Sequence, residues 1–215
     1  GCRSGSSRAV STAPQALLFD LGGVLFEFDF GRAFQAWSSH SALPLPELRR
    51  LFTFDLHYER HERGEISARE YFSHLATVLQ LSATPEQIES GWNAIFIREI
   101  EETRLLVQAA RSKLPCYAFS NTNASHMSAW SAQFPGVVRG FDRIFVSHEM
   151  GLRKPERRAF DHICRTLGLP PESILFFDDL PENVQGALDA GLQGVCVRTP
   201  DDVARALRDH GIHHR

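Results

Sequence analysis

Leu17-Leu18-Phe19-Asp20-Leu21-Gly22-Gly23-Val24-Leu25 is a short apolar run that ends on one carboxylate followed by two glycines. Its length and its aromatic residue predict a buried strand, and the glycines put no side chain in the way of a ligand. In an open α/β sheet, ligands sit beyond the carboxyl ends of the strands. An acid at the end of the first strand is therefore placed for chemistry.

Four further apolar runs follow from about Glu99 onward: Pro115–Ser120, Arg143–Ser147, Ser173–Asp178 and Gly194–Val197, each separated from the next by a helix-length segment. Such alternation predicts parallel strands joined by helical crossovers, and with the first run it gives an α/β, Rossmann-like sheet of five parallel strands. Between strands one and two the chain instead shows four helical patterns, roughly over 32–39, 46–54, 68–79 and 85–96. Ser67 with Glu70 forms a capping box, and Thr84-Pro85 gives a cap with proline at the first helical position. Phe26-Glu27-Phe28-Asp29-Phe30 alternates apolar and acidic residues, as a short hairpin or flap does. The expected organisation is an α/β core over 15–29 and 98–215, with a small helical cap over 30–97. Residues 1–14, rich in Ser, Gly and Ala, read as a loose leader.

The 215 residues suffice for one large domain, or for one core plus a small insertion. A formal net charge of -3 with acids and bases intermixed argues against a nucleic-acid surface. The four cysteines show no close metal-type spacing, and Cys116, Cys164 and Cys196 lie in apolar patterns that predict buried thiols in a reducing compartment. No apolar run reaches the length of a membrane span, and no signal region precedes the first strand. The expectation is a cytoplasmic protein, monomer or homodimer, with a small-molecule partner rather than nucleic acid or a membrane.

The strand ends carry the chemistry. Strand one ends in Asp20, the second in Ser120-Asn121-Thr122-Asn123 and the fourth in Asp178-Asp179, while Arg153-Lys154-Pro155 follows the third. In a parallel sheet all of these lie on one edge. Three carboxylates there repel one another unless a cation is present, and hard oxygen donors suit Mg²⁺, which shares its shell with substrate phosphate. Lys154 would neutralise an acid or a phosphate, and the Ser, Asn and Thr groups, with the helix starting near Ala124, would donate to phosphate oxygens. Taken singly these are ordinary turn and cap residues, but at one edge they complete a phosphate and metal site.

In this order, Asp20-Leu21-Gly22-Gly23-Val24, Ser120-Asn121, Lys154-Pro155 and Asp178-Asp179 resemble motifs one to four of the haloacid dehalogenase-like hydrolase superfamily, essentially throughout the chain from Leu17 onward. The form they resemble most is the bacterial α-D-glucose-1-phosphate phosphatase-like branch. That branch also opens Asp-Leu-Gly and carries a cap stretch similar to His61-Glu62-Arg63-Gly64-Glu65-Ile66-Ser67. The resemblance implies a Mg²⁺-dependent phosphohydrolase acting on a small phosphomonoester, a sugar phosphate such as a hexose 1-phosphate. It makes Asp20 the nucleophile that forms an aspartyl-phosphate, a form of covalent catalysis through a carboxylate. Ser120 and Asn121 would hold the phosphoryl oxygens, and Lys154 would bridge nucleophile and phosphate. Mg²⁺ would be bound by Asp20, the main-chain carbonyl of Gly22 and the Asp178-Asp179 pair. The register of that pair favours Asp179 as direct ligand, with the choice between the two left open. His61 and Arg63, in the charged helical stretch ahead of the Gly64 turn, are the candidate substrate contacts from the cap.

One departure stands out. Most phosphatases of the superfamily carry a second Asp two residues after the nucleophile as general acid and base, and this chain has Gly22 there. Loss of a general acid costs ~10²–10⁴ in rate. A sugar C1 oxygen would need less protonation, a cap group among His57, His61 and Glu62 would supply the proton, or the protein would have little activity. A haloacid dehalogenase needs no metal, and the intact Asp178-Asp179 pair speaks against it. A response-regulator receiver domain has its acids in the opposite strand order and no cap, and a dinucleotide oxidoreductase wants G-x-G-x-x-G. A catalytically silent binding protein is the non-enzyme alternative. Trp37, Trp92 and Trp130 are expected between cap and core.

Overall fold

In the computed structural model, which describes residues 12–212, Ala16 to Phe19 have no solvent exposure at all and form strand β1 (Ala16–Phe19). Leu17 and Phe19 enter the core on one face of the sheet and Leu18 that on the other, as side chains alternating along a strand must. A strand buried on both faces belongs inside a parallel sheet covered by helices. β1 leads to β2 (Phe26–Phe28) and then five helices, α1 (Gly31–Ser38), α2 (Leu45–Leu51), α3 (Leu56–Glu62), α4 (Ala68–Val78) and α5 (Pro85–Asn93). The chain returns through β3 (Phe96–Glu99), α6 (Glu101–Arg111), β4 (Cys116–Ser120), α7 (Ala124–Gln133) and α8 (Pro135–Arg139). It closes with β5 (Arg143–Val146), α9 (Ser147–Met150), α10 (Arg157–Leu167), β6 (Ile174–Asp178), α11 (Pro181–Asp189), β7 (Gln193–Cys196) and α12 (Pro200–Asp209).

The main sheet has the order β5-β4-β1-β6-β7, and β1 pairs in parallel with both β4 and β6. Phe19 stacks on Phe177 at 4.4 Å, tying β1 to β6 just below the point where the two strands end in acids. The five parallel strands and the helical insertion after the first are those the sequence predicts.

The insertion differs in detail. Phe26 bridges back to Gly22, its carbonyl accepting from the Gly23 amide at 2.8 Å, and β2 pairs antiparallel with β3, Phe26 opposite Glu99. The two passages between the sheet and the inserted helices run side by side, and their backbone groups satisfy one another. Recruitment of Phe96–Glu99 into this ribbon is why α5 stops at Asn93, short of the expected Phe96. There is also a fifth helix, α3, whose N-cap Asp55 accepts a hydrogen bond from the Tyr58 amide at 2.9 Å. Trp92 spans insertion and core, its indole donating to Asn123 at 3.3 Å. Trp37 instead lies wholly within the insertion, donating to the Ile88 carbonyl at 3.1 Å, and Trp130 packs beside Phe26. Cys116 and Cys164 are buried and Cys196 half-buried, all three as free thiols. Cys2 and most of the 1–14 leader lie outside the described residues. No helix among the described residues is long and apolar enough to cross a membrane.

Candidate active site

Asp20 continues β1 by one ladder bond, its amide donating to the Phe177 carbonyl at 2.8 Å, while its own Oδ1 accepts from the Leu21 amide at 2.8 Å. That side-chain turn fixes the carboxyl at the sheet edge. Lys154 reaches the same point from the loop after β5. Its Nζ donates to Asp20 Oδ1 at 2.8 Å, Asp178 Oδ2 at 2.9 Å and the Phe119 carbonyl at 2.9 Å, which uses all three of its protons. The lysine is in turn held by Asn121, whose Oδ1 accepts from the Lys154 amide at 2.8 Å and whose Nδ2 donates to the Lys154 carbonyl at 3.0 Å. Both ends of the Asn121 side chain thus engage Lys154. Nδ2 keeps a second proton, which together with the main chain is available to meet a phosphate.

The two acids that end β6 have different surroundings. Asp178 is fully buried; its Oδ1 accepts from the Leu180 amide at 2.9 Å and its Oδ2 from Lys154, and Asn183 Nδ2 lies 3.3 and 3.2 Å from the pair. Asp179 is half-buried and lines the cavity above Asp20. Carboxylate oxygens of Asp20, Asp178 and Asp179 lie within 4.8 Å of one another. Burial pushes the Asp20 carboxyl well above the usual range, repulsion from Asp178 adds to this, and Lys154 opposes it. Asp179 is likewise raised, first by burial. Burial also works against the Lys154 charge, but Asp178 and Asp20 outweigh it and hold the ammonium protonated. Three acids thus face one cation, and the hard oxygen donor set fits Mg²⁺. Gly23, at φ +84°, leaves room for this set, because a Cβ there would overlap the Asp179 carboxylate.

A cavity of about 420 Å³ opens over Asp20. Asp20, Gly22, Ser120, Asn121, Lys154 and Asp179 line it, with Asp178 directly behind. His61 and Arg63 are not among its walls. The His61 ring turns inward and stacks on Tyr71 at 4.5 Å, and burial pushes it down to about 4. Arg63 donates to Glu156 at 2.7 Å and does not reach the cavity. The cap residues that do reach the cavity are Phe54, Tyr58 and Glu62, joined by Arg153 from the core. Tyr58 and Glu62 are four residues apart on α3 and share a face, whereas His61 is rotated away by about 100° from its neighbour. Of the three candidate proton donors, Glu62 alone lines the cavity; His57 is exposed and stacks on His74 at 3.7 Å. Arg153 donates to Glu62 at 2.9 Å, and burial raises the Glu62 carboxyl against that pairing.

Position 22 is filled from elsewhere. A Cβ on Gly22 would come within 3.0 and 3.2 Å of carbons of the Phe28 ring, so the space of the absent acid is bordered by an aromatic side chain.

Residues 14–191 match the haloacid dehalogenase-like hydrolase family. Phosphatase MT3486 of Mycobacterium tuberculosis (strain CDC 1551 / Oshkosh) is 30% identical over 206 residues, covering 91% of this chain and 94% of its own. A D-ribitol-5-phosphate phosphatase of Bacteroides thetaiotaomicron is 25% identical over 183 residues, covering 82% and 88%. Among solved structures, a HAD-family enzyme of Bacteroides thetaiotaomicron in complex with magnesium and inorganic phosphate superposes with a TM-score of 0.74 at 25% identity, covering 86% of this chain and 94% of that one. With its four motifs gathered at one sheet edge and the family match running from β1 through α11, the whole insertion included, the chain belongs to the haloacid dehalogenase-like hydrolase family.

Proposed function

We propose that the protein is a Mg²⁺-dependent phosphomonoesterase that works through an aspartyl-phosphate on Asp20. The observation that carries this reading is the buried Lys154, bonded at once to Asp20 and Asp178 beside the more open Asp179. Asp20 Oδ1 is held by Lys154 and the Leu21 amide, so Oδ2 is the atom that attacks phosphorus. The ester P–O bond breaks, the alcohol departs, and water then cleaves the acyl phosphate to restore Asp20 and release inorganic phosphate. Ser120 and Asn121 donate to the phosphoryl oxygens. Asp20, the Gly22 carbonyl and Asp179 would hold Mg²⁺, with Asp178 positioning Lys154 from behind. When bound, the ion would supply the positive charge that balances these acids and the phosphate. Glu62 is the group that hands a proton to the departing alcohol, its carboxyl raised by burial.

For the alcohol itself, resemblance to the glucose-1-phosphate phosphatase-like branch suggests a hexose 1-phosphate. Gly22 supports it, since an anomeric oxygen leaves with little protonation. A ribitol-5-phosphate phosphatase among the relatives supports the wider sugar-phosphate class. The test is phosphate release with Mg²⁺ from a panel of acyl, sugar, polyol and aryl phosphates, repeated with Asp20→Asn. Turnover that requires both Mg²⁺ and Asp20 is the expected result. No release from any ester would leave a binding protein instead, and undiminished release by Asp20→Asn would remove Asp20 as the nucleophile.

A further inference from the structure

The cavity has two unlike ends. Around Asp20 it is charged, but much of the rest of its wall is aromatic: Phe28, Phe30 and Phe54, with Phe26, Phe96 and Trp130 deeper in. The rings form continuous rows. Phe28 meets Phe30 edge-on at 6.0 Å, Phe30 meets Phe54 at 5.7 Å, and Phe54 meets Tyr58 at 4.8 Å. In the other row Phe26 lies 5.6 Å from Phe96 and 6.1 Å from Trp130. Three large apolar side chains of this lining are left to water, Phe54 at 63%, Leu180 at 45% and Phe28 at 41% exposure. Apolar surface gathered at the mouth of one cavity is what a ligand of like character would cover.

Most of the polar groups away from Asp20 are already engaged within the protein, the exposed Glu182 being the exception. Arg153 is paired with Glu62 at 2.9 Å, and the Tyr58 hydroxyl is hydrogen-bonded to Glu62. Thr122 Oγ1 accepts from the Trp130 indole at 3.3 Å. The His126 ring lies 3.2 Å from Asn123 Nδ2 and 2.9 Å from the Trp92 carbonyl, and burial pushes it down to about 3, so it brings no charge to the wall. A polyol placed here would give up water for few open partners, whereas an aromatic ring would lose nothing. The Phe28 ring also borders Gly22, two residues from Asp20, where the chain carries no side chain, and it lines the same cavity as Asp20.

Resting on the phosphomonoesterase reading above but replacing the hexose 1-phosphate that the family resemblance suggests, we infer that the substrate is the phosphate ester of an aromatic alcohol, with its phosphate on Asp20 and its ring among Phe28, Phe54 and Phe26. The test compares kcat/KM, with Mg²⁺, for 2-naphthylmethyl phosphate, glycerol 3-phosphate and glucose 6-phosphate. All three are esters of primary alcohols, so leaving-group chemistry is nearly constant and the ratio reads the walls; glucose 1-phosphate and acetyl phosphate complete the set. The expected preference for the naphthylmethyl ester is at least about tenfold, the size given by burying one ring against aromatic partners. In Phe54→Ser and Phe28→Ser, changes at exposed positions whose folding is checked by thermal melting, that preference shrinks mainly through a higher KM. Equal or better use of a polyol or sugar ester, with acetyl phosphate still cleaved, overturns the inference and leaves the phosphomonoesterase standing. Failure to cleave any of the five, acetyl phosphate included, overturns both.

Discussion

Replacing Lys154 by Met keeps the long apolar stem and deletes the one cation bonded to both Asp20 and Asp178. Removing one partner of a buried ion pair costs roughly 3–5 kcal/mol, because the other charge is left unpaired in low dielectric. Here two acids lose their partner, so the upper part of that range applies. For a domain of about this size each kcal/mol lowers Tm by about 2–4 °C, so the fall is on the order of 10 °C. The assay is thermal melting followed by circular dichroism, in chelator, at pH 8 and pH 5.5. Asp20 is already held above its unfolded value in the wild type by burial and by Asp178, and without Lys154 it rises further. A carboxyl whose folded pKa is raised takes stability away at high pH and returns it as pH falls toward that pKa. His126 and His61 act in the opposite sense: pushed down to about 3 and about 4, they withdraw stability from wild type and variant alike as pH drops below the usual histidine value. The gap between the two proteins therefore narrows from pH 8 to pH 5.5. A variant melting within about 2 °C of wild type at pH 8, where roughly 6 °C is the least that 3 kcal/mol predicts, would refute the charge imbalance. So would a gap that stays constant with pH, and with either would go the case for a bound cation.

Three further outcomes are expected. Gly23→Ala, which pushes a methyl onto the Asp179 carboxylate and adds about 1 kcal/mol of left-handed backbone strain, raises the Mg²⁺ concentration for half-maximal phosphate release by at least about tenfold. Overlaid titrations would remove Asp179 from the ligand set. Glu62→Gln lowers kcat for alkyl phosphates by ~10²–10⁴ but far less for p-nitrophenyl phosphate, and abolishes the basic limb of the pH–rate profile; equal losses on both substrates would mean that Glu62 only anchors Arg153. Wild-type stability, read from urea midpoints, falls by about 2 kcal/mol between pH 7 and pH 5 through His126, whose unfolded form takes up a proton that the folded form refuses until about pH 3. In His126→Gln, which retains an N–H donor, that decline is smaller.

Which segments meet at the sheet edge was legible because strands buried on both faces are unbroken apolar runs. Any polar residue at the end of such a run is conspicuous, and Asp20, Ser120 and Asp178 are each the first polar residue after four apolar ones or more. Lys154 was found through its place after the third of the five runs that follow one another in the chain. The cap was less legible for a matching reason. His61, Glu62 and Arg63 are consecutive and all polar, so composition does not say which one a short helix turns toward the cavity. That is set by Tyr71, which takes the His61 ring, and by Glu156, which takes Arg63 from the far side of the chain. The strand that pairs with Phe26–Phe28, in the stretch expected as a hairpin or flap, was not legible either, because it lies beyond the whole insertion.

Gly22 shows the limit most sharply. A sequence displays the absence of the usual second aspartate, and from absence alone three accounts are equally open: an easily departing alcohol, a donor from the cap, or no catalysis. What separates them is the occupant of the vacated space, and that depends on contacts no local pattern reports. β2 meets β3 with a register shift between Glu27 and Phe28, and the Phe28 ring comes to lie against Gly22. Read along the chain, Phe28 is one apolar residue in an alternating stretch. Beside Gly22, it makes the place of a lost acid an apolar wall, and that occupant, rather than the absence alone, favours an aromatic alcohol over a sugar.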